Sequence, residues 1–354
     1  LAQYGFPVHD VAVRPRHPGE VLATMVTHRV SSEVAAYADP DAAQAVRRLL
    51  DALGPDVVHV DRTRALPLVR GSGVPTVLDL TDPRGVGPAQ RWQAAACRSP
   101  HTALDGVRQV VDRLPARREE LAAAGEVHVL TAAEASALAL VAAGVPARRV
   151  TAIPNATRRG DRAAPRRPSS SRPRLALTGN FRYPPNLLAV EDLRRVVAAA
   201  PREAIGEVVL VGARGPAQAM RTAERAGLRL VLDVDSVPLA MRREQVDVAV
   251  APHRIVRGFA NRVVDAVYLA GVPIVVSTAT AQMLPQAVAR TVPSFHRGAD
   301  AWPVIVEEVL GPDAEHLVAE TQAAIESVCD EAVVADALID VYRRAGAQPV
   351  RPAA

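Results

Sequence analysis

The sequence predicts an α/β protein made of two Rossmann-like, doubly wound domains. Three observations carry this expectation. Short apolar runs alternate with longer amphipathic stretches, the grammar of β-α units around a mostly parallel sheet. The chain has 354 residues, more than one core commonly holds. A proline-, serine- and arginine-rich stretch with no helical or strand period, residues 157–172, splits the alternation into two halves. The expected division is residues 1–156, the linker 157–172, a second domain at 173–345 with a helical tail, and a flexible end at 346–354.

In the first half, Val8 to Val13 has the apolar spacing of a weak strand. Ala42 to Leu53 has a helical period and stops at Gly54-Pro55. Asp56 to Val60 and Pro75 to Leu80 read as buried strands, the latter running into the turn Thr81-Asp82-Pro83-Arg84-Gly85. Pro88 to Ala124 reads as helical. Glu126 to Leu130 is the next strand. Thr131 is expected to cap a helix, with Glu134 completing a capping box. Val150 to Ile153 closes the half. A doubly wound domain ordinarily opens with a buried strand and a glycine-rich turn. Leu1 to Pro18 resembles a second unit instead, so the first domain is expected to lack its initial β-α unit.

The second half repeats the pattern more clearly. Strands are expected at Leu175–Thr178, Glu207–Val211, Leu228–Asp233, Val246–Ala251 and Val272–Ser277. Helices are expected at Leu187–Ala200, Ala217–Ala226 and Asn261–Ala270. Ala301 to Ala345 reads as helical throughout.

Composition narrows the function. The formal charge is +4, but every fixed positive charge is arginine, interspersed with acids, and aromatic residues are only 3%. A single-strand nucleic-acid binder needs stacking platforms that this chain has few of, so no nucleic-acid partner is expected. Two cysteines, Cys97 and Cys329, form neither a disulfide framework nor a zinc signature. No apolar run reaches the roughly 20 residues of a membrane span, and there is no secretory-type leader. The expected location is cytoplasmic, with peripheral membrane contact and oligomeric state left open.

Polar and glycine residues collect at the expected strand ends, where open parallel sheets bind ligands. Gly179, Asn180 and Arg182 follow the first strand of the second half, and Gly212 and Gly215 the second. His253 follows the fourth, and Asn261-Arg262 opens the helix beyond it. Glycine lets backbone amides approach a phosphate. A helix start favours acids and anions, so an arginine there suits an anionic ligand. An ion pair between Arg262 and Asp265, three residues on, is the plainer reading of the same arginine.

The second half resembles the retaining GT-B glycosyltransferases of glycosyltransferase family 4. The likeness rests on Thr178-Gly-Asn-Phe-Arg-Tyr-Pro-Pro-Asn186, on Val211-Gly-Ala-Arg-Gly-Pro216, and above all on Asn261-Arg-Val-Val-Asp-Ala-Val-Tyr-Leu-Ala-Gly271-Val-Pro273. Upstream, Pro55-Asp-Val-Val-His59, Val77-Leu-Asp-Leu-Thr-Asp82 and Val150-Thr-Ala-Ile-Pro-Asn155 are similar to landmarks of the acceptor domain. The resemblance implies two domains facing across a cleft and transfer of a sugar, with retention, from a nucleoside-diphosphate donor. The acceptor is a natural product or polysaccharide precursor of unknown identity. It further implies no metal and no cofactor besides the donor. Arg262 and Arg182 would face the diphosphate, and Asp265 the ribose or sugar. The acceptor would enter beside Thr81 and Asp82.

The candidate catalytic residues are thus Asp82, Asp265 and His253. The candidate donor-binding residues are Gly179, Asn180, Arg182, Gly212, Asn261 and Arg262. The chain departs from the family's pattern in three places. Of the two glutamates usually seven residues apart, the second is Asp265 and Arg257 stands eight residues before it, with one extra residue between Asp265 and Gly271; Thr81 stands where a histidine is usual; and the glycine-rich loop of the first strand is expected to be missing. A catalytically inactive glycosyltransferase-like partner or scaffold is the alternative reading. An epimerase would need a second acid that the sequence does not supply. A nicotinamide enzyme would need a G-x-G-x-x-G turn that is absent.

Overall fold

In the computed structural model of the chain, the described residues are 7–83, 85, 103–168, 172–201, 203–256 and 258–346. Two parallel sheets organise them, each the centre of a Rossmann-like domain. The first contains β1 (Val58–Asp61), β2 (Thr76–Asp79), β3 (His128–Thr131) and β4 (Val150–Ala152), in that spatial order. The second contains β5 (Arg174–Asn180), β6 (Glu207–Ala213), β7 (Arg229–Leu232), β8 (Val248–Ala251), β9 (Ile274–Ser277) and β10 (Ser294–Phe295). Its spatial order is β10-β9-β8-β5-β6-β7, so the chain reverses its direction of travel between β5 and β8. Neighbouring loops diverge at such a reversal and leave a crevice beyond the strand ends.

Strands covered on both faces read as continuous apolar runs. All four residues of β8 and of β9 are buried, and so is every residue of β3. Tyr268, Val263, Ala266 and Ile274 join one core cluster of the second domain; Leu177, Leu193, Leu210 and Ile305 join the other. Ala132 and Ala133, just after β3, pack into the first of these clusters and so fasten the domains together.

Most expected elements are present within a few residues, and the exceptions have physical causes. Val8 to Val13 forms no strand and is largely exposed; among the described residues no strand lies beside it to share hydrogen bonds. Thr131 caps no helix. It is the last residue of β3, its carbonyl accepts from Ile153 N at 2.8 Å, and its hydroxyl donates to Ala133 O at 3.0 Å. The helix that follows, Glu134–Ala142, starts from Ala133 without a side-chain cap. Residues 88–102 of the long expected helix, and with them Cys97, lie outside the described residues, as does Arg257; the described part is Ala103–Glu126. Helices at Pro18–His28, Ser32–Tyr37 and Val237–Arg243 were not expected from the sequence.

The stretch after β4 is tethered, not free. Ala163 N donates to Tyr268 O and Arg166 N to Gly271 O, both at 2.8 Å, and Arg162 Nε donates to Gln322 Oε1 at 2.9 Å. Gly271 has a positive φ of 68°, and a Cβ there would lie 2.1 Å from Ala164 O. The glycine of the Gly-x-Pro motif is therefore where this stretch lies against the second domain. The helical tail is broken at Asp330. Ala314–Cys329 stays with the second domain, while Glu331–Ala345 crosses to the first, where Val334 and Val341 pack with Val77, Leu130 and Ile153. Among the described residues, no helix is long and apolar enough to cross a membrane.

Candidate active site

The carboxyl ends of β5 and β8 flank the reversal point, and the candidate residues converge there. Helix Pro184–Ala199 starts with two prolines, whose missing N–H groups cost nothing in a first turn. Asn186, in that turn, is buried; its Nδ2 donates to Asn180 O at 2.8 Å. Its Oδ1 accepts from Arg262 Nη2 at 3.3 Å and lies 3.1 Å from His253 Nε2. Arg262 Nη1 in turn lies against both ring nitrogens of His253, 2.7 Å from Nδ1. Three side chains from three separate segments thus close one network.

Electrostatics set the roles within it. His253 is 1% exposed. Burial, reinforced by the charge of Arg262, drives its pKa well below the usual imidazole value. The ring is neutral, so it can accept from the guanidinium while donating to Asn186. Burial lowers the Arg262 pKa only to about 10, so the guanidinium stays charged at neutral pH. Its Nε is buried without a hydrogen-bond partner among the described residues. The plain ion pair with Asp265 does not form: no salt bridge joins the two, although each feels the other's charge. Burial raises Asp265 to about 6, against the opposing pull of Arg262. A buried cation with no carboxylate in contact is unfavourable unless something else completes it.

Asp265 lies in a π-helical turn, Val264–Leu269, that continues the short helix Asn261–Val263. A π turn holds one more residue than an α turn. The turn therefore takes one more residue between Asp265 and Gly271 than an α turn would.

The remaining candidates divide between cleft and scaffold. A cavity of about 370 Å³ lies between the domains. Asp82, Thr81 and Arg62 line it from the first domain, and Tyr183, Gly258 and Asn261 from the second. A Cβ on Gly258 would lie 3.3 Å from Thr81 O and 3.5 Å from Asp82 Cβ, so the walls nearly touch there. Asn155 Nδ2 donates to Asn261 Oδ1 at 2.7 Å on the same floor. Arg182 is exposed beyond β5, with its Nε donating to Arg214 O at 3.3 Å and its N to Asn180 Oδ1 at 3.0 Å. The space at Gly179 and Gly212 is filled by protein. A Cβ on Gly179 would meet Asn186 Nδ2 at 2.7 Å, and one on Gly212, at φ 146°, would meet Gly179 O at 2.0 Å. None of His253, Arg262 and Asp265 is among the residues that line this cavity; His253 is buried against Arg262, which follows the lining residue Asn261.

Two contributors were not singled out from the sequence. Asn186 and Asn155 both sit inside quoted motifs. An amide that will be buried beside a glycine carries no mark of it in the sequence. Among the described residues, no cluster of His, Cys, Asp or Glu could hold a metal ion.

Two Rossmann-like domains facing across such a cleft make the GT-B fold, the architecture of a large class of glycosyltransferases. Solved structures share it over most of their length. HepE from Anabaena, determined with UDP and glucose, superposes with a TM-score of 0.61 at 14% identity, covering 86% of this chain and 82% of HepE. Sucrose-phosphate synthase from Thermosynechococcus elongatus gives 0.61 at 16% identity, covering 86% and 77%. A UDP-forming trehalose-phosphate synthase from Burkholderia xenovorans gives 0.61 at 15%, covering 85% and 77%. At these identities the likeness is one of fold. No protein-family model and no curated protein sequence matches the chain.

Proposed function

We propose that the chain is a glycosyltransferase that moves a sugar, with retention, from a nucleoside-diphosphate donor to a natural product or polysaccharide precursor. The second domain holds the donor and the first presents the acceptor, as in family 4. The observation that carries this reading is the Arg262 guanidinium. It is charged, enclosed at the reversal point of the sheet, held by two neutral groups, and in no salt bridge with a carboxylate among the described residues. A diphosphate is the anion that would complete it. In the transition state the leaving diphosphate gains charge, and a fixed guanidinium with little solvent around it stabilises that charge without reorganising. Arg182 sits farther out, where it can meet the donor as it enters. Asp265, with a pKa of about 6, is assigned in this reading to a hydroxyl of the ribose or sugar. Asp82 faces the acceptor from the opposite wall. The solved HepE complexes, with UDP and with UDP-glucose, support a donor of this class.

Thermal unfolding in the presence of UDP, GDP and dTDP tests the proposal. At least one should raise the melting temperature of the parent chain and lose that effect in Arg262→Gln. If none of the three shifts the parent, the reading fails.

A further inference from the structure

A second cavity lies away from the cleft and is larger than it. It measures about 710 Å³, within the range of small-ligand sites. It opens at the opposite edge of the first sheet, where Thr76 begins β2 and His128 begins β3. Its walls carry three guanidinium groups, Arg148 and Arg149 before β4 and Arg344 from the crossing helix. One carboxylate lines it, Glu126, and that is already bound to Arg70 at 3.1 Å. Arg148 and Arg149 make no ion pair among the described residues. Arg344 contributes only a hydrogen bond from Nε to Asp340 O, at 3.2 Å.

His128 reports the field inside. It is buried, with Nε2 2.9 Å from Thr151 Oγ1. Burial first, then the charges of Arg344 and Arg149, lower its pKa. No described carboxylate offsets those two charges at the ring. Like charges gathered in a concavity repel one another, and the repulsion is relieved by an anion that several of them share. Guanidinium forks match phosphate oxygens two at a time. A concave site suits a small ligand better than an extended polymer does.

We propose that this cavity is a second binding site, separate from the cleft, for a phosphate monoester gripped by Arg148, Arg149 and Arg344. The ester would bridge the first domain and the crossing helix. The phosphate comes from a soluble metabolite or from a lipid headgroup; the chemistry at the arginines is the same.

Calorimetric titration of the full chain with inorganic phosphate, at low ionic strength, tests the site. Arg149→Gln and Arg344→Gln should each weaken phosphate binding about tenfold, the worth of one charge-assisted contact. Arg149→Lys should recover part of the loss. Arg262→Gln, which alters the proposed donor site, should leave this binding intact. Both arginines keep contact with solvent, so their variants should fold; an unchanged melting temperature without phosphate verifies it. Vesicles containing phosphatidic acid distinguish the two sources. Sedimentation with the vesicles that disappears in Arg149→Gln assigns the site to a lipid phosphate. No sedimentation, with phosphate binding intact, assigns it to a soluble ester. The proposal is overturned if millimolar phosphate does not bind, if the Arg149 and Arg344 variants bind it like the parent, or if only Arg262→Gln abolishes binding.

Discussion

Asn155 and Asn261 meet amide to amide across the floor of the cleft, at 2.7 Å. One follows the last strand of the first domain and the other opens the helix that carries Arg262. A neutral hydrogen bond of this kind contributes about 0.5–1.5 kcal/mol. Asn155→Ala and Asn261→Ala should each lower stability by about that amount. The double variant should be scarcely worse than either single one, because the second change removes nothing further. Urea unfolding of the four proteins checks this; simple additivity would mean that the contact does not join the domains in solution.

Arg262 depends on His253 for its position. His253→Ala opens a buried cavity and removes a partner, at an expected cost of about 2–4 kcal/mol. The more telling readout is the nucleotide. Stabilisation by UDP, or by whichever diphosphate binds, should fall several-fold in His253→Ala although the histidine does not line the cleft. His253→Gln, which can still accept and donate, should restore part of it. A merely structural histidine would lower the melting temperature and leave the nucleotide-induced shift unchanged.

Asp265 makes stability depend on pH in an unusual direction. Its carboxyl titrates near 3.8 when unfolded and near 6 when folded. Below both values each state is protonated and nothing is lost. Between them the folded state alone keeps the proton, so stability falls as pH rises through this window. Above the folded value the loss is complete and amounts to about 3 kcal/mol, at 1.36 kcal/mol per pH unit. Asp265→Asn should therefore be more stable than the parent near neutral pH, and the advantage should vanish near pH 4. Paired urea titrations at the two pH values read it directly. Donor affinity should fall in the same variant if the carboxylate binds a hydroxyl.

Gly212→Ala should be among the most damaging substitutions of a single methyl group. The residue has a φ of 146°, and the new Cβ would lie 2.0 Å from Gly179 O on the neighbouring strand. Both the backbone and the neighbour would have to move, at an expected cost of about 2–4 kcal/mol. A melting temperature close to the parent's would show that β5 and β6 separate more easily than their packing indicates.

The second domain was largely legible because its strands are covered on both faces. Val248–Ala251 and Ile274–Ser277 had no other way to satisfy so many adjacent apolar side chains. The first domain gave weaker signals. Val8–Val13 has a strand's spacing, yet spacing cannot supply a neighbour. Thr131 and Glu134 have the capping-box interval, but the backbone of Thr131 is already committed to β3. The site was legible as a set of strand ends, and Arg262 was found as an arginine at a helix start. What the sequence could not show was how deep each side chain would lie. His253 at a strand end looks the same on paper whether it reaches a substrate or is sealed behind an arginine. Nor could a count of residues between Asp265 and Gly271 reveal that a π turn would lie between them.

Because the helix from Glu331 returns to the first domain, the chain passes between the lobes twice, and the two passages lie side by side. Thr157 N donates to Cys329 O at 2.6 Å, and Glu331 N donates to Thr157 O at 3.0 Å. Arg159 Nε grips Asp330 at 2.7 Å beside them. The crossing is therefore a doubled ribbon, tied by backbone hydrogen bonds. Any turn of one lobe against the other would have to bend both strands of it together, and twisting is resisted because one ribbon cannot turn without the other.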